Sequence, residues 1–158
     1  MSEFEIIRNH FSRDYNRSDI NVGVGDDGAI LNIDQMIGSQ LVVSTDTIVE
    51  QTHFPEGTIA GNIAKRAMCI NLSDMAGMGA LPLWFTLSLT LPGDKANEAW
   101  LSEFSRGLFE IASEYNCALI GGDTTKGPLS VTICMFGNIP SDAGLKRSSA
   151  SVGDIIYC

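Results

Sequence analysis

Near the amino terminus, Phe4, Ile7 and Phe11 recur at helical spacing. Ser2 and Glu5 precede them three residues apart, as in a capping box, and the pattern predicts a helix to about residue 12. Two short apolar runs follow, GAILNI (28–33) and LVVSTD (41–46), which read as strands separated by a glycine-bearing turn. TIVEQTHFPEG (47–57) reads as a loop closed by Pro55 and Gly57, and Thr58 is placed to cap a long helix running to about Gly79. In LWFTLSLTL (83–91), Phe85, Leu87, Leu89 and Leu91 alternate with Thr86, Ser88 and Thr90, the pattern of a half-buried strand. Asn97 is a good N-cap for a helix in which Trp100, Phe104, Leu108, Ile111 and Tyr115 share a face. CALIGG (117–122) and LSVTICMFGNI (129–139) read as strands joined by a loop, DTTKGP, and a last loop, SDAGLKRSSASVG, leads to a terminal strand, GDIIYC. The order α-β-β-α-β-α-β-β-β, without repeats or a linker, predicts an α+β fold. Its mixed or antiparallel β-sheet is flanked by helices and is not doubly wound. Thr86, Ser88 and Thr90 would then face solvent, a partner subunit or a ligand.

Composition narrows the classes. The 158 residues, 44% of them hydrophobic, suffice for one domain with a real core. The net charge of −9, with no Lys/Arg cluster longer than two, argues against a nucleic-acid or anionic-membrane surface. Four cysteines form no C-x-x-C pair, and two sit in apolar runs where the residue acts as a small hydrophobe, which points to a reducing, cytoplasmic setting. The amino terminus has neither a basic leader nor a membrane-length apolar run. The chain stops in an apolar run, so it reads as the front part of a longer protein.

The spacing Gly23-Val-Gly25-Asp-Asp-Gly28 is nominally a dinucleotide fingerprint. A genuine one follows a buried strand and opens a helix; here a polar run, RDYNRSD, precedes it and a short apolar run follows. Asp26 and Asp27 would repel an anion unless a cation came between. Further aspartates stand at Asp46, Asp74 and Asp123, with Asp46 and Asp123 ending strands. Asp74 shares the helical stripe of Ile63, Ala67, Ile70 and Met78, predicting a buried carboxylate that must be paired or metal-bound. Taken singly, Asp26 and Asp27 are also ordinary turn residues, and Asp46 and Asp123 are open to either reading. Taken together, the carboxylates would converge on a hard cation such as Mg²⁺, with phosphate oxygens completing its shell.

Zinc fits poorly, because the only histidines are His10, on what reads as an exposed helix face, and His53, open to loop packing or ligand contact. No G-x-S-x-G, P-loop or protein-kinase signature is present. A phosphate oxygen as phosphoryl acceptor is already anionic and needs no histidine base; metal neutralisation and positioning suffice. Lys126 and Lys146 read as solvated loop charges, whereas Arg147 reads as a phosphate clamp beside a glycine-bearing loop.

With GVGDDGAIL, STDTIVEQTHF, NLSDMAGMGALP and LIGGDTTKGPLSVTI in this order, the chain resembles the thiamine-monophosphate kinase family from about Phe4 onward. That family belongs to the superfamily of aminoimidazole ribonucleotide synthetase and selenophosphate synthetase. The resemblance implies ATP-dependent phosphorylation of thiamine monophosphate to thiamine diphosphate, by in-line transfer with several Mg²⁺ ions. It implies metal ligands at Asp26, Asp27, Ser44, Thr45, Asp46, Asp74 and Asp123, with the catalytic work at Asp27, Asp46, Asp74 and Asp123. Nucleotide contacts would fall on Gly122, Asp123 and Arg147, and a substrate contact on His53. It further implies an amino-terminal domain (1–158) whose sheet pairs with a second subunit's into a barrel across a homodimer. A carboxy-terminal domain outside this chain would complete the thiamine-phosphate site. Two rival readings are another synthetase of the superfamily and a non-catalytic, metal-stabilised dimerisation domain.

Overall fold

The computed structural model describes residues 2–156. Helix α1 (Glu3–Ile6) opens with the predicted capping box: the Ser2 hydroxyl accepts from the Glu5 amide at 3.3 Å, and the Ser2 amide donates to the Glu5 carboxylate at 2.7 Å. The helix continues as a wider π-type turn over Ile7–Phe11, in which the Ser12 amide bonds the Ile7 carbonyl at 2.9 Å. The widening redistributes the faces. Ile6, His10 and Phe11 are buried and Phe4 is 81% exposed, so the predicted Phe4–Ile7–Phe11 face is only partly inward. His10, expected on an exposed face, is a core residue whose Nε2 lies 3.2 Å from a Glu98 carboxylate oxygen.

A short hairpin, β1 (Ile20–Val22) and β2 (Ile30–Leu31), carries GVGDDG at its tip. The main sheet has four strands: β3 (Ser39–Val49), β4 (Leu81–Leu91), β5 (Ala118–Lys126) and β6 (Ser130–Pro140). Their spatial order is β3-β6-β4-β5, antiparallel except for the parallel β4–β5 pair. A parallel pair needs a crossover, and α3 (Glu98–Glu114) supplies it, its first turn capped by Asn97 as expected. The sheet is therefore mixed, within an α+β fold.

Helices α2 (Ala60–Met78) and α3 cover one face of the sheet. Leu87, Leu89, Val131, Ile133, Met135, Phe104 and Leu108 are almost wholly buried between helices and strands. The helices cross where Gly107 meets Gly61; a Cβ on Gly107 would stand 2.4 Å from the Gly61 carbonyl oxygen. On the opposite face, Trp84, Ala118 and Ile120 form a smaller cluster under the hairpin and Tyr15. Asp19 ties that layer down. It accepts from Trp84 Nε1 at 3.0 Å and from Arg17 at 2.9 and 2.6 Å, and Arg17 also donates to the Asn116 carbonyl at 2.8 Å. Cys117 is a buried apolar residue whose thiol burial pushes up to about 12.

Several boundaries differ from the sequence expectation. β3 continues through Thr47–Val49, and β5 continues through Asp123–Lys126 rather than yielding to a loop. Pairing holds both stretches extended: β3 is paired along its whole length, from Ser39 opposite Pro140 to Val49 opposite Ser130, and residues 123–126 pair with 88–91 of β4. Thr58 does not cap α2: the N-cap is Ile59 without a side-chain bond, and the Thr58 hydroxyl donates to the Pro55 carbonyl at 2.7 Å. The segment 150–156 forms no strand, and the rest of the expected terminal strand lies outside the described residues. Among the described residues, no helix is long and apolar enough to cross a membrane.

Candidate functional site

The candidate residues fall at the two edges of the four-stranded sheet. At the β5 edge, the hairpin tip and α1 enclose a cleft of about 450 Å³ whose lining includes Phe4, Ile7, Asp26, Asp27, Gly122 and Asp123. This volume lies in the range of about 300–1,000 Å³ usual for small-molecule sites. Asp26 accepts the Asp27 amide at 2.8 Å, a local turn bond that fixes the tip and leaves the Asp27 carboxylate free of it. No ion pair among the described residues engages Asp26, Asp27 or Asp123. Gly122 has φ +152°, and a Cβ there would meet the Leu87 carbonyl oxygen at 1.9 Å. Only glycine fits so close a crossing of β4 and β5, and it leaves a bare peptide on the cleft wall.

The second group lies at the β3 edge. Ser44 donates through its hydroxyl to the Asp74 carboxylate at 2.5 Å, joining β3 to α2. Asp46, two residues on, shares the face of Ser44, while Thr45 is exposed on the other. Asp46 and Asp123 were expected to end their strands; each instead stands three residues short of the end. Asp74 is exposed, contrary to its helical stripe. The buried arc of α2 runs through Ala60, Ala64, Met68, Asn71 and Met75, centred roughly 80° round the helix from Asp74 at 3.6 residues per turn. The stripe of Ile63 and Ala67 is the margin of that arc, and its lower half leaves the core.

Strand register explains why the two groups stay apart. Asp46 pairs with Ile133, Ile133 with Leu87 and Leu87 with Gly122, so one row of the sheet runs from Asp46 to the cleft wall. Three inter-strand steps of about 4.8 Å make that row roughly 14 Å long. Among the described residues, no three His, Cys, Asp or Glu side chains are grouped to hold a metal ion.

His53 sits in the loop after β3, with its Nδ1 accepting the Val49 amide at 3.0 Å and its own amide donating to the Val49 carbonyl at 2.8 Å. An accepting Nδ1 puts the proton of the neutral ring on Nε2. Arg147 lies in a short exposed 3₁₀ turn, Arg147–Ser149. Neither residue lines the cleft. The contribution of Glu3, Phe4 and Ile7 to the cleft was not foreseen from sequence; Phe4 and Ile7 carried only helical periodicity, which cannot separate a core face from a ligand-facing one, and Glu3 carried no signal.

A mixed sheet with two helices on one face, a hairpin on the other and acidic residues at both edges marks a family that comparison now identifies. Residues 25–139 match the family described as AIR synthase related protein, N-terminal domain, and the chain belongs to it. Over 98% of its length it is 47% identical to the thiamine-monophosphate kinase of Salmonella typhimurium (strain LT2), of which it spans 47%. A solved thiamine-monophosphate kinase from Stenotrophomonas maltophilia K279a superposes with a TM-score of 0.77 at 44% identity, covering 84% of this chain and 40% of that one. AaThiL, solved complexed with AMPPCP and TMP, superposes with a TM-score of 0.63 at 27% identity, covering 73% of this chain and 36% of that one. The chain thus spans about half the length of the curated relatives it matches.

Proposed function

We propose that this chain is the amino-terminal, nucleotide- and metal-binding domain of a cytoplasmic thiamine-monophosphate kinase, which transfers the terminal phosphoryl group of ATP to the phosphate of thiamine monophosphate. The observation that carries the reading is the cleft, lined by three carboxylates without ion-pair partners among the described residues and by a backbone crossing that admits no side chain. The names of the relatives supply the reaction.

The donors are hard oxygens throughout, which suits Mg²⁺; among the described residues no ion pair neutralises them. Because no three of these carboxylates are grouped closely enough to hold an ion by themselves among the described residues, Asp26, Asp27 and Asp123 would each supply oxygens to an ion that phosphate oxygens complete at the cleft. Asp46 and Asp74 with the Ser44 hydroxyl would do so at the β3 edge, where Thr45, its side chain on the other face, has only its carbonyl to offer. When bound, the ions neutralise phosphate charge. The chain's own part is positional. Gly122 lets a phosphate chain approach the peptide, Arg147 offers a fork for a phosphate oxygen, and His53 presents an oriented Nε2–H to the substrate. The acceptor oxygen is anionic at the outset, so no residue need remove a proton.

The proposal includes a homodimer closing into a barrel over the open face of the sheet, where Leu41 and Val43 are 54% and 51% exposed beside Thr45 and Thr47. A carboxy-terminal domain beyond this chain completes the thiamine-phosphate site.

Calorimetric titration of AMPPCP into the chain, with Mg²⁺ and again with chelator, tests the reading. Binding is expected only with Mg²⁺, weakened at least about tenfold in Asp123→Asn by loss of a charged ligand. No binding to a folded sample would overturn the nucleotide assignment. The exposed sheet face also favours a second reading, a dimerisation module with a structural cation; in that case Mg²⁺ raises the Tm while AMPPCP leaves it unchanged.

A further inference from the structure

Arg147 stands in a short exposed turn beyond the end of β6, so its usefulness as a fork for phosphate depends on what holds that turn in place. After β6 the chain is fastened step by step. The Ser141 amide donates to the Gly38 carbonyl at 3.1 Å, the Asp142 amide to the Gln40 side-chain oxygen at 3.4 Å, and the Leu145 amide to the Met78 carbonyl at 3.1 Å. Among the described residues, every hydrogen bond beyond Leu145 is local: Ser149 donates to Lys146, and Ser151 and Asp154 bond each other. Leu145, two residues before Arg147, is thus the last point at which this segment is bonded to the body of the domain. The contact is built from both sides. Met78 ends α2, where carbonyls have no partner within the helix, and the Leu145 amide satisfies this one. Gly79 then closes the helix at φ +74°, and a Cβ there would lie 3.3 Å from Cγ and Cδ1 of Leu145, so the bare glycine is the floor on which the leucine side chain rests.

We propose that Leu145 is the positioning residue for Arg147: it docks the Arg147 turn on the carboxy-terminal end of α2. This inference rests on the reading of Arg147 as a phosphate fork and adds the residue through which that fork is held. Asp74 lies four residues before Met78, about one turn back along the same helix, and is itself bonded to Ser44 of β3. The turn that carries the guanidinium and the Asp74 carboxylate therefore share one helix end. A guanidinium on an untethered loop would have to be ordered each time it met an anion, and that ordering opposes binding; with the turn docked on α2, much of it is complete once the chain has folded.

The test is a double-mutant cycle on the Kd for AMPPCP with Mg²⁺, using Arg147→Gln, Leu145→Ala and the two combined, together with amide hydrogen exchange over residues 145–149, which needs no ligand. Arg147→Gln is expected to raise Kd about tenfold, the loss of one charge-assisted hydrogen bond. Leu145→Ala is expected to raise it about threefold, because the loop must then be ordered on binding, and to speed exchange at the Leu145 and Ser149 amides. Its Tm should be nearly unchanged, since the leucine is 55% exposed. Leu145→Met, which keeps the apolar contact with Gly79, should restore binding. In the combined variant, Kd should match that of Arg147→Gln alone, since Leu145 acts only through that residue. If Arg147→Gln weakens binding and Leu145→Ala does not, if the two effects simply add, or if exchange is unchanged in Leu145→Ala, the positioning role is overturned and the phosphate fork stands. No effect of Arg147→Gln, or no binding by the wild-type chain, would remove the fork and this inference with it.

Discussion

Asp19 shows how much one polar residue can organise in this chain. It is 6% exposed, bound by Trp84 and by Nε and Nη2 of Arg17, and it fastens the segment before β1 to the interior strand β4. The hydrogen bonds from Arg17, ahead of its charge and of Trp84, hold the Asp19 carboxyl below the usual carboxylate range against the opposing effect of burial. A carboxyl with a depressed folded-state pKa contributes stability that is present above its unfolded value, about 3.9, and is lost as pH falls through the folded one. Asp19→Asn is therefore expected to cost roughly 2 kcal/mol at pH 7, because Arg17 keeps a partly buried charge without its counter-ion. Urea unfolding of both proteins at pH 7 and near pH 3 should show that difference shrinking at the lower pH. Asn71 is the converse case: its side-chain amide donates to the Ala67 carbonyl at 3.0 Å, but its own oxygen is buried without a partner among the described residues.

At the scale of elements, the crossing of β4 and β5 at Gly122 is the tightest constraint. Gly122→Ala would drive a methyl into the Leu87 carbonyl, so it should separate the parallel pair and lower stability by about 3 kcal/mol, readable as a drop in Tm or loss of soluble protein. Sequence patterning revealed the elements whose periodicity is strong. Phe85, Leu87, Leu89 and Leu91 all face the core, and Asn97 caps α3. It did not reveal the length of β3 or β5, because Thr47-Ile48-Val49 leads straight into the 50–57 loop and reads as part of it, and Asp123-Thr124-Thr125-Lys126 is loop-like in composition; both are held extended by their neighbours. Nor did it place Asp74. A stripe drawn from Ile63 and Ala67 runs along the border of the buried arc, and periodicity alone does not mark where a border lies. The candidate aspartates were thus legible as residue types near turns and strands, whereas their division between two sheet edges depends on strand order, which local sequence does not encode.

At the scale of the whole molecule, the sheet is covered on one side by helices and only partly on the other. Leu41 and Val43 lie open on the uncovered part, beside a ladder in which Thr47 and Thr132 share a hydrogen bond at 2.8 Å. If a second copy closes this face, Val43→Lys should convert a dimer to a monomer in light scattering at micromolar concentration. Its cost to the fold itself should be small, because the position is half exposed within one chain.

The pairing of β3 with β6 also bears on how the chain comes together. Val49 and Ser130 are the nearest residues in sequence that the two strands bring into register, and about 80 residues separate them, a closure costing roughly 4 kcal/mol of chain entropy. Such long-range contact is what slows folding, whereas the β4–α3–β5 crossover joins neighbours. The candidate side chains Ser44 and Asp46 are therefore delivered by the most remote contact in the sheet, and Gly122 and Asp123 by a nearer one. Any change that hinders closure would be felt at Ser44 and Asp46, and through Ser44 at its bond to Asp74, before it reached the cleft.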